Sequence, residues 1–133
     1  MPLVRISLIE GKPGEYRRKV GEAVHRALVD TINVPARDRF QVITQHARDD
    51  LLYDAEYLGI ERTDDIVIVQ ITLSAGRSLE LKRALYRRIA DNLAQAVGLR
   101  PQDVWVNLIE VAKENWSFGN GIASYAPAGT VAA

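Results

Sequence analysis

Slid by 65 residues, the two halves of this 133-residue chain align with each other without a gap. Gly11 falls on Gly76 and Asp38 on Asp103; Val4, Ile6 and Leu8 fall on Val69, Ile71 and Leu73; Glu15, Arg18 and Leu28 fall on Glu80, Arg83 and Leu93. Arg17 meets Lys82 and Phe40 meets Trp105, each a replacement of like by like. A fixed internal offset of this kind restricts the fold to one supersecondary unit built twice.

Each unit reads strand, helix, strand. Residues 3–9 alternate Leu3, Arg5, Ser7 against Val4, Ile6, Leu8, the period of two that marks a strand with one covered face. From Pro13 the period lengthens, and Tyr16, Val20, Val24, Ala27, Leu28 and Ile32 fall on one helical stripe that Asn33 and Pro35 end. Residues 39–44 read as the return strand. In the second unit Ile66–Leu73 is rich in β-branched residues, and Leu81, Leu85, Ile89, Leu93, Ala96 and Val97 form the stripe. Gly98 stops that helix and Val104–Val111 returns.

A helix between two strands is the crossover that parallel pairing requires, so the expected fold is α+β. Two β-α-β units, about residues 2–44 and 66–111, form a four-stranded sheet with two helices on one face, in one domain spanning 1–133. Trp105, Val106, Leu108 and Val111 make the uncovered face apolar, which predicts a closed homo-oligomer. Residues 45–64, with Asp49, Asp50, Asp54 and Glu56, read as an excursion outside the sheet. In the tail, 112–133, the aromatic residues Trp116, Phe118 and Tyr125 precede an end expected to be loosely held.

Composition narrows the chemistry. Seventeen Lys and Arg balance seventeen Asp and Glu, which speaks against nucleic acid or an anionic membrane as partner, since both need a basic excess. Absence of cysteine removes thiolate catalysis, disulfides and zinc–sulfur sites, and two histidines, His25 and His46, are too few for a His-based metal centre. The start Met1-Pro2-Leu3-Val4-Arg5-Ile6 enters a strand pattern at once, and no apolar run approaches the ~20 residues of a membrane span. The expected location is the cytosol.

The residues able to do chemistry are then few. With Met1 removed, Pro2 carries a terminal secondary amine, whose class titrates near ~8 and is moved down by burial and up by a carboxylate. Neutral it is a general base, protonated an acid, and with a carbonyl it forms an iminium; otherwise it is an ordinary residue after methionine. Arg77, after Gly76 and before the second helix, is either a carboxylate anchor or a solvated surface charge. Asp38 either governs the charge of Pro2 or forms an ion pair with its neighbours Arg37 and Arg39, which are themselves substrate-binding candidates. Trp116, Phe118 and Tyr125 either wall an apolar pocket or pack between subunits. His25 reads as structural. No phosphate-binding glycine loop, nucleophile elbow or metal motif is present.

Pro2 at the head of an alternating strand, Pro35-Ala36-Arg37-Asp38-Arg39-Phe40, Gly76-Arg77 and Asn115-Trp116-Ser117-Phe118-Gly119, in that order, resemble the tautomerase superfamily. Within it they are similar to malonate semialdehyde decarboxylase and its relatives. The likeness spans about residues 2–125. It implies a tautomerase/MIF-like homotrimer needing no cofactor or metal, with Pro2 as catalytic amine, Asp38 as its aspartate and Arg77 as an arginine binding a small oxo acid. It also implies a pocket lined by Trp116, Phe118 and Tyr125. These decarboxylases carry two arginines two positions apart before the second helix; here Ala75 and Leu79 flank Arg77 instead. A keto–enol tautomerase of the phenylpyruvate or 4-oxalocrotonate type needs only Pro2 and one anchor. A chain that keeps Met1 would instead be a non-catalytic trimeric ligand-binding module.

Overall fold

The computed structural model describes residues 1–126; the end expected to be loosely held, 127–133, lies outside them. Strand β1 (Leu3–Ile9), helix α1 (Gly14–Ile32) and strand β2 (Phe40–His46) form the first unit, and β3 (Val67–Ser74), α2 (Leu79–Val97) and β4 (Val104–Val111) the second. Each unit is a parallel pair joined by its helix, and the units meet along β1 and β3, which run antiparallel, giving the order β2-β1-β3-β4.

The 65-residue offset survives in three dimensions. Leu3 pairs with Phe40 as Ile68 pairs with Trp105. Where the units join, Leu3 opposes Thr72 and Ser7 opposes Ile68, one pairing seen from either half. Helix ends obey the same offset. Pro13 and Ser78 precede the two helices, and Asn33 and Gly98 end them in the left-handed region, at φ 59° and 69°. The turns out of β1 and β3 carry Gly11 at φ 120° and Gly76 at φ 125°, a conformation that residues with a Cβ rarely adopt. The antiparallel junction therefore relates the halves by a local two-fold axis.

Alternation in the strands fixes the layers. Val4, Ile6 and Leu8 of β1 and Val67, Val69, Ile71 and Leu73 of β3 are buried beneath the helices. There they meet Val20, Val24, Ala27, Leu28 and Ile32 of α1 and Leu85, Ile89 and Leu93 of α2. Two stripe residues depart from expectation: Leu81 and Ala96 are exposed, because the covered part of α2 is its middle and these sit in its first and last turns. The uncovered face also needs correction. Val106 and Leu108 pack against the core, since a period of two cannot put them beside Trp105. The residues standing free are Phe40 and Val42 of β2 and Trp105 and Ile109 of β4, each more than a third exposed. The excursion starts later than expected: Gln45 and His46 still pair with β1 as the end of β2, and the rest of 45–64 lies outside the sheet and carries two short 3-10 turns. No helix among the described residues is long and apolar enough to cross a membrane.

Candidate active site at the head of the first strand

Topology brings three separate stretches to one edge of the sheet. Because β1 and β2 are parallel they begin together, and because β3 is antiparallel to β1 it ends beside them. The N-terminus, the loop before β2 and the turn after β3 are neighbours for that reason. Pro2 is buried here and lines a cavity of about 230 Å³ with Leu3, Phe40, Trp116, Ser117 and Phe118.

Met1 is present at the head of the chain, and its α-amine is paired with the Asp38 carboxylate. Burial, and secondarily the positive charge of Arg77, lower that amine from 8.0 to about 6. The Pro2 nitrogen follows one residue behind. Asp38 is held by its loop: its N–H donates to the Pro35 carbonyl at 2.9 Å, and the His25 Nε2–H donates to the Ala36 carbonyl at 2.8 Å. His25, buried on α1, thus has the structural place expected of it.

Arg77 is aimed by the turn that carries it. Gly76 reverses the chain, and an Arg77 guanidinium N–H donates to the Ser74 carbonyl at 3.0 Å. Glu110 braces the turn. Its carboxylate accepts from Lys82 Nζ at 2.8 Å and from the Gly76 backbone, and these bonds, the lysine's first, hold it below the usual carboxylate range.

The aromatic wall comes from the segment after β4. Trp116 and Phe118 stack with centroids 5.4 Å apart and planes at 27°, and Tyr125 meets Phe118 edge-on at 5.4 Å, so it supports the wall from behind. The Trp116 indole N–H donates to the Ser74 hydroxyl at 3.1 Å. Arg39 lies elsewhere, ion-paired to Glu22 at 2.5 Å and bonded to Gln41 at 3.2 Å on the helix side of β2. Arg37 is exposed in the loop. Leu3, Phe40, Ser74 and Ser117 belong to this neighbourhood without having been singled out from sequence. For Ser74 a sign was available, since the offset sets it against apolar Ile9.

The two-fold axis provides an internal comparison. Asp103, counterpart of Asp38, is 1 % exposed and accepts from the Thr63 N–H at 2.7 Å and its hydroxyl at 2.8 Å. Lys12, counterpart of Arg77, is paired with Asp65 at 2.8 Å. In the second half an aspartate in this place latches a loop; in the first half it meets the chain's own amine.

Two family models, each described as tautomerase enzyme, match residues 38–119 and 2–60. The probable tautomerase YusQ of Bacillus subtilis (strain 168) is 41 % identical over 123 residues, covering 92 % of this chain and 97 % of that protein. The crystal structure of FG41 malonate semialdehyde decarboxylase inhibited by 3-bromopropiolate is 39 % identical with a TM-score of 0.87, covering 92 % of this chain and 93 % of that one. A fused 4-OT symmetric trimer has the same fold, with a TM-score of 0.76 at 24 % identity over 93 % of this chain and 99 % of that one.

Proposed function

The chain belongs to the tautomerase family, and from that premise we propose that it acts on a small oxo acid through the Pro2 nitrogen, freed by removal of Met1. One observation carries the reading: the α-amine of Met1 meets the Asp38 carboxylate and feels the charge of Arg77, next to the apolar cavity that Pro2 lines. Those neighbours poise a nitrogen to change charge near neutral pH, where acid–base catalysis is most effective. Similarity to a malonate semialdehyde decarboxylase over nine-tenths of both chains supports a 3-oxo acid as the substrate.

The residues divide the work as follows. Arg77 binds the substrate carboxylate through charge-assisted hydrogen bonds. Protonated Pro2 donates to the carbonyl oxygen. The bond to the carboxyl carbon then breaks, its electron pair entering the enol as CO₂ departs, and a proton returned to carbon completes the aldehyde. Asp38 holds Pro2 in its charged form. Trp116 and Phe118 exclude water, so the charges act at low dielectric.

A second reading, keto–enol tautomerisation, is favoured by the lone arginine and by the burial and the Arg77 charge that lower the Met1 amine, since the same surroundings would favour a neutral Pro2 nitrogen once Met1 is gone. Neutral Pro2 would carry a proton between carbon and oxygen. Malonate semialdehyde and phenylenolpyruvate, assayed side by side across pH, separate the two. Decarboxylation falls as pH rises through the Pro2 pKa, and tautomerisation rises. Turnover of neither substrate overturns both readings.

We further propose that three copies close around the bare face of the sheet. Phe40, Val42, Trp105 and Ile109 stand on it, a patch that is costly to leave in water, and the fused 4-OT neighbour is a trimer.

A further inference from the structure

We propose that Ser74 is a positioning residue that fixes the aromatic wall of the Pro2 cavity and the neighbouring Arg77 relative to each other; this deepens the oxo-acid reading above and rests on it. Ser74 is the last residue of β3 and is buried, at 7 % exposure. Its hydroxyl accepts from the Trp116 indole at 3.1 Å, and its carbonyl accepts from the Arg77 guanidinium at 3.0 Å. The carbonyl is turned to Arg77 because the adjacent Ala75 N–H continues the sheet to the Val111 carbonyl, at 2.9 Å, before Gly76 reverses the chain. The cavity residue Trp116 and the neighbouring Arg77, 39 positions apart in sequence, therefore meet on one residue.

The repeat shows that the fold itself does not require this hydroxyl. The counterparts of Ser74 and Trp116 under the 65-residue offset are Ile9 and Leu51, neither of which has a polar side-chain atom. The other half completes the same strand end and the same turn with aliphatic side chains. A buried hydroxyl is unfavourable unless it is bonded, so a serine here is explained by the partner it holds. With the indole fixed, the Trp116 ring keeps its stacked orientation on Phe118 and faces the cavity from one direction.

The experiment is a double-mutant cycle with an exchange measurement. Ser74→Ala and Trp116→Phe should each lower kcat/KM about tenfold, chiefly through KM, as expected for losing one buried hydrogen bond. The double variant should be no worse than either single one, since both remove the same contact. Ser74→Thr, which keeps the hydroxyl, should recover most of the loss. In the wild-type protein the Trp116 indole N–H, resolved by ¹⁵N NMR, should exchange with solvent more slowly than that of free tryptophan, and Ser74→Ala should abolish the protection. Multiplying effects in the cycle, or a Trp116 indole exchanging as fast as free tryptophan in wild type, would overturn the proposal, and the second result needs no variant. Pro2→Ala is the control that separates the claims. Turnover surviving it defeats the oxo-acid reading, while the exchange measurement still decides whether Ser74 holds Trp116.

Discussion

An amine that titrates near neutrality needs surroundings that lower it only part of the way, because a free terminal amine is mostly protonated at pH 7 and a fully desolvated one never is. Burial, and then Arg77, pull the Met1 amine downward here, and the amine is paired with the Asp38 carboxylate. The signs can be tested one charge at a time. Arg77→Gln removes a nearby positive charge, so the protonated amine becomes more favourable and its pKa rises; the pH dependence of N-terminal labelling should move to higher pH. Unchanged labelling would show that the guanidinium does not reach the amine. Pro2→Ala exchanges a secondary for a primary amine and should lower kcat/KM by about 10²–10⁴-fold, the range attached to a positioned acid or base, with the circular dichroism spectrum unaltered.

Two turns at equivalent places, of which only one carries the proposed substrate anchor Arg77, allow stability and function to be separated. Gly11 and Gly76 have φ of 120° and 125°, and a Cβ at either would meet nothing within 4 Å. Replacement by alanine therefore costs backbone strain alone, about 1–3 kcal/mol at each. Both variants should melt at similarly reduced temperatures, but only Gly76→Ala, which displaces Arg77, should also raise KM. Equal kinetics would detach Arg77 from binding. The same comparison shows what a sequence makes legible. The offset predicted both units, both helix ends and the sheet, because each depends on local periodicity and on residues such as Gly98 whose backbone preference is intrinsic. The convergence of Pro2, Asp38 and Arg77 was legible only through resemblance, since it follows from an antiparallel junction that no local pattern encodes. Ser74 passed unnoticed for a related reason: a single serine at a strand end has meaning only when the indole above it is seen. Val106 and Leu108 are as apolar as the face expected of them requires, but the period of two turns them to the helices, and hydrophobicity alone does not carry that parity.

For the molecule as a whole, the uncovered sheet face is the outstanding physical cost. Trp105 is 46 % exposed there and Phe40 58 %, beside the edge that carries the cavity. Trp105→Glu would put a charge into the proposed subunit contact and should convert a trimer to monomers in sedimentation velocity, and an unaltered trimer would place the contact elsewhere. The proposed chemistry depends on the nitrogen of Pro2. Its most direct test is to prepare the chain in two forms, verified by intact mass, one beginning at Pro2 and one retaining Met1, and to measure oxo-acid turnover by each. Activity confined to the form that begins at Pro2, with less than about one-hundredth of it in the other, is the predicted result; equal turnover by the two forms would contradict it.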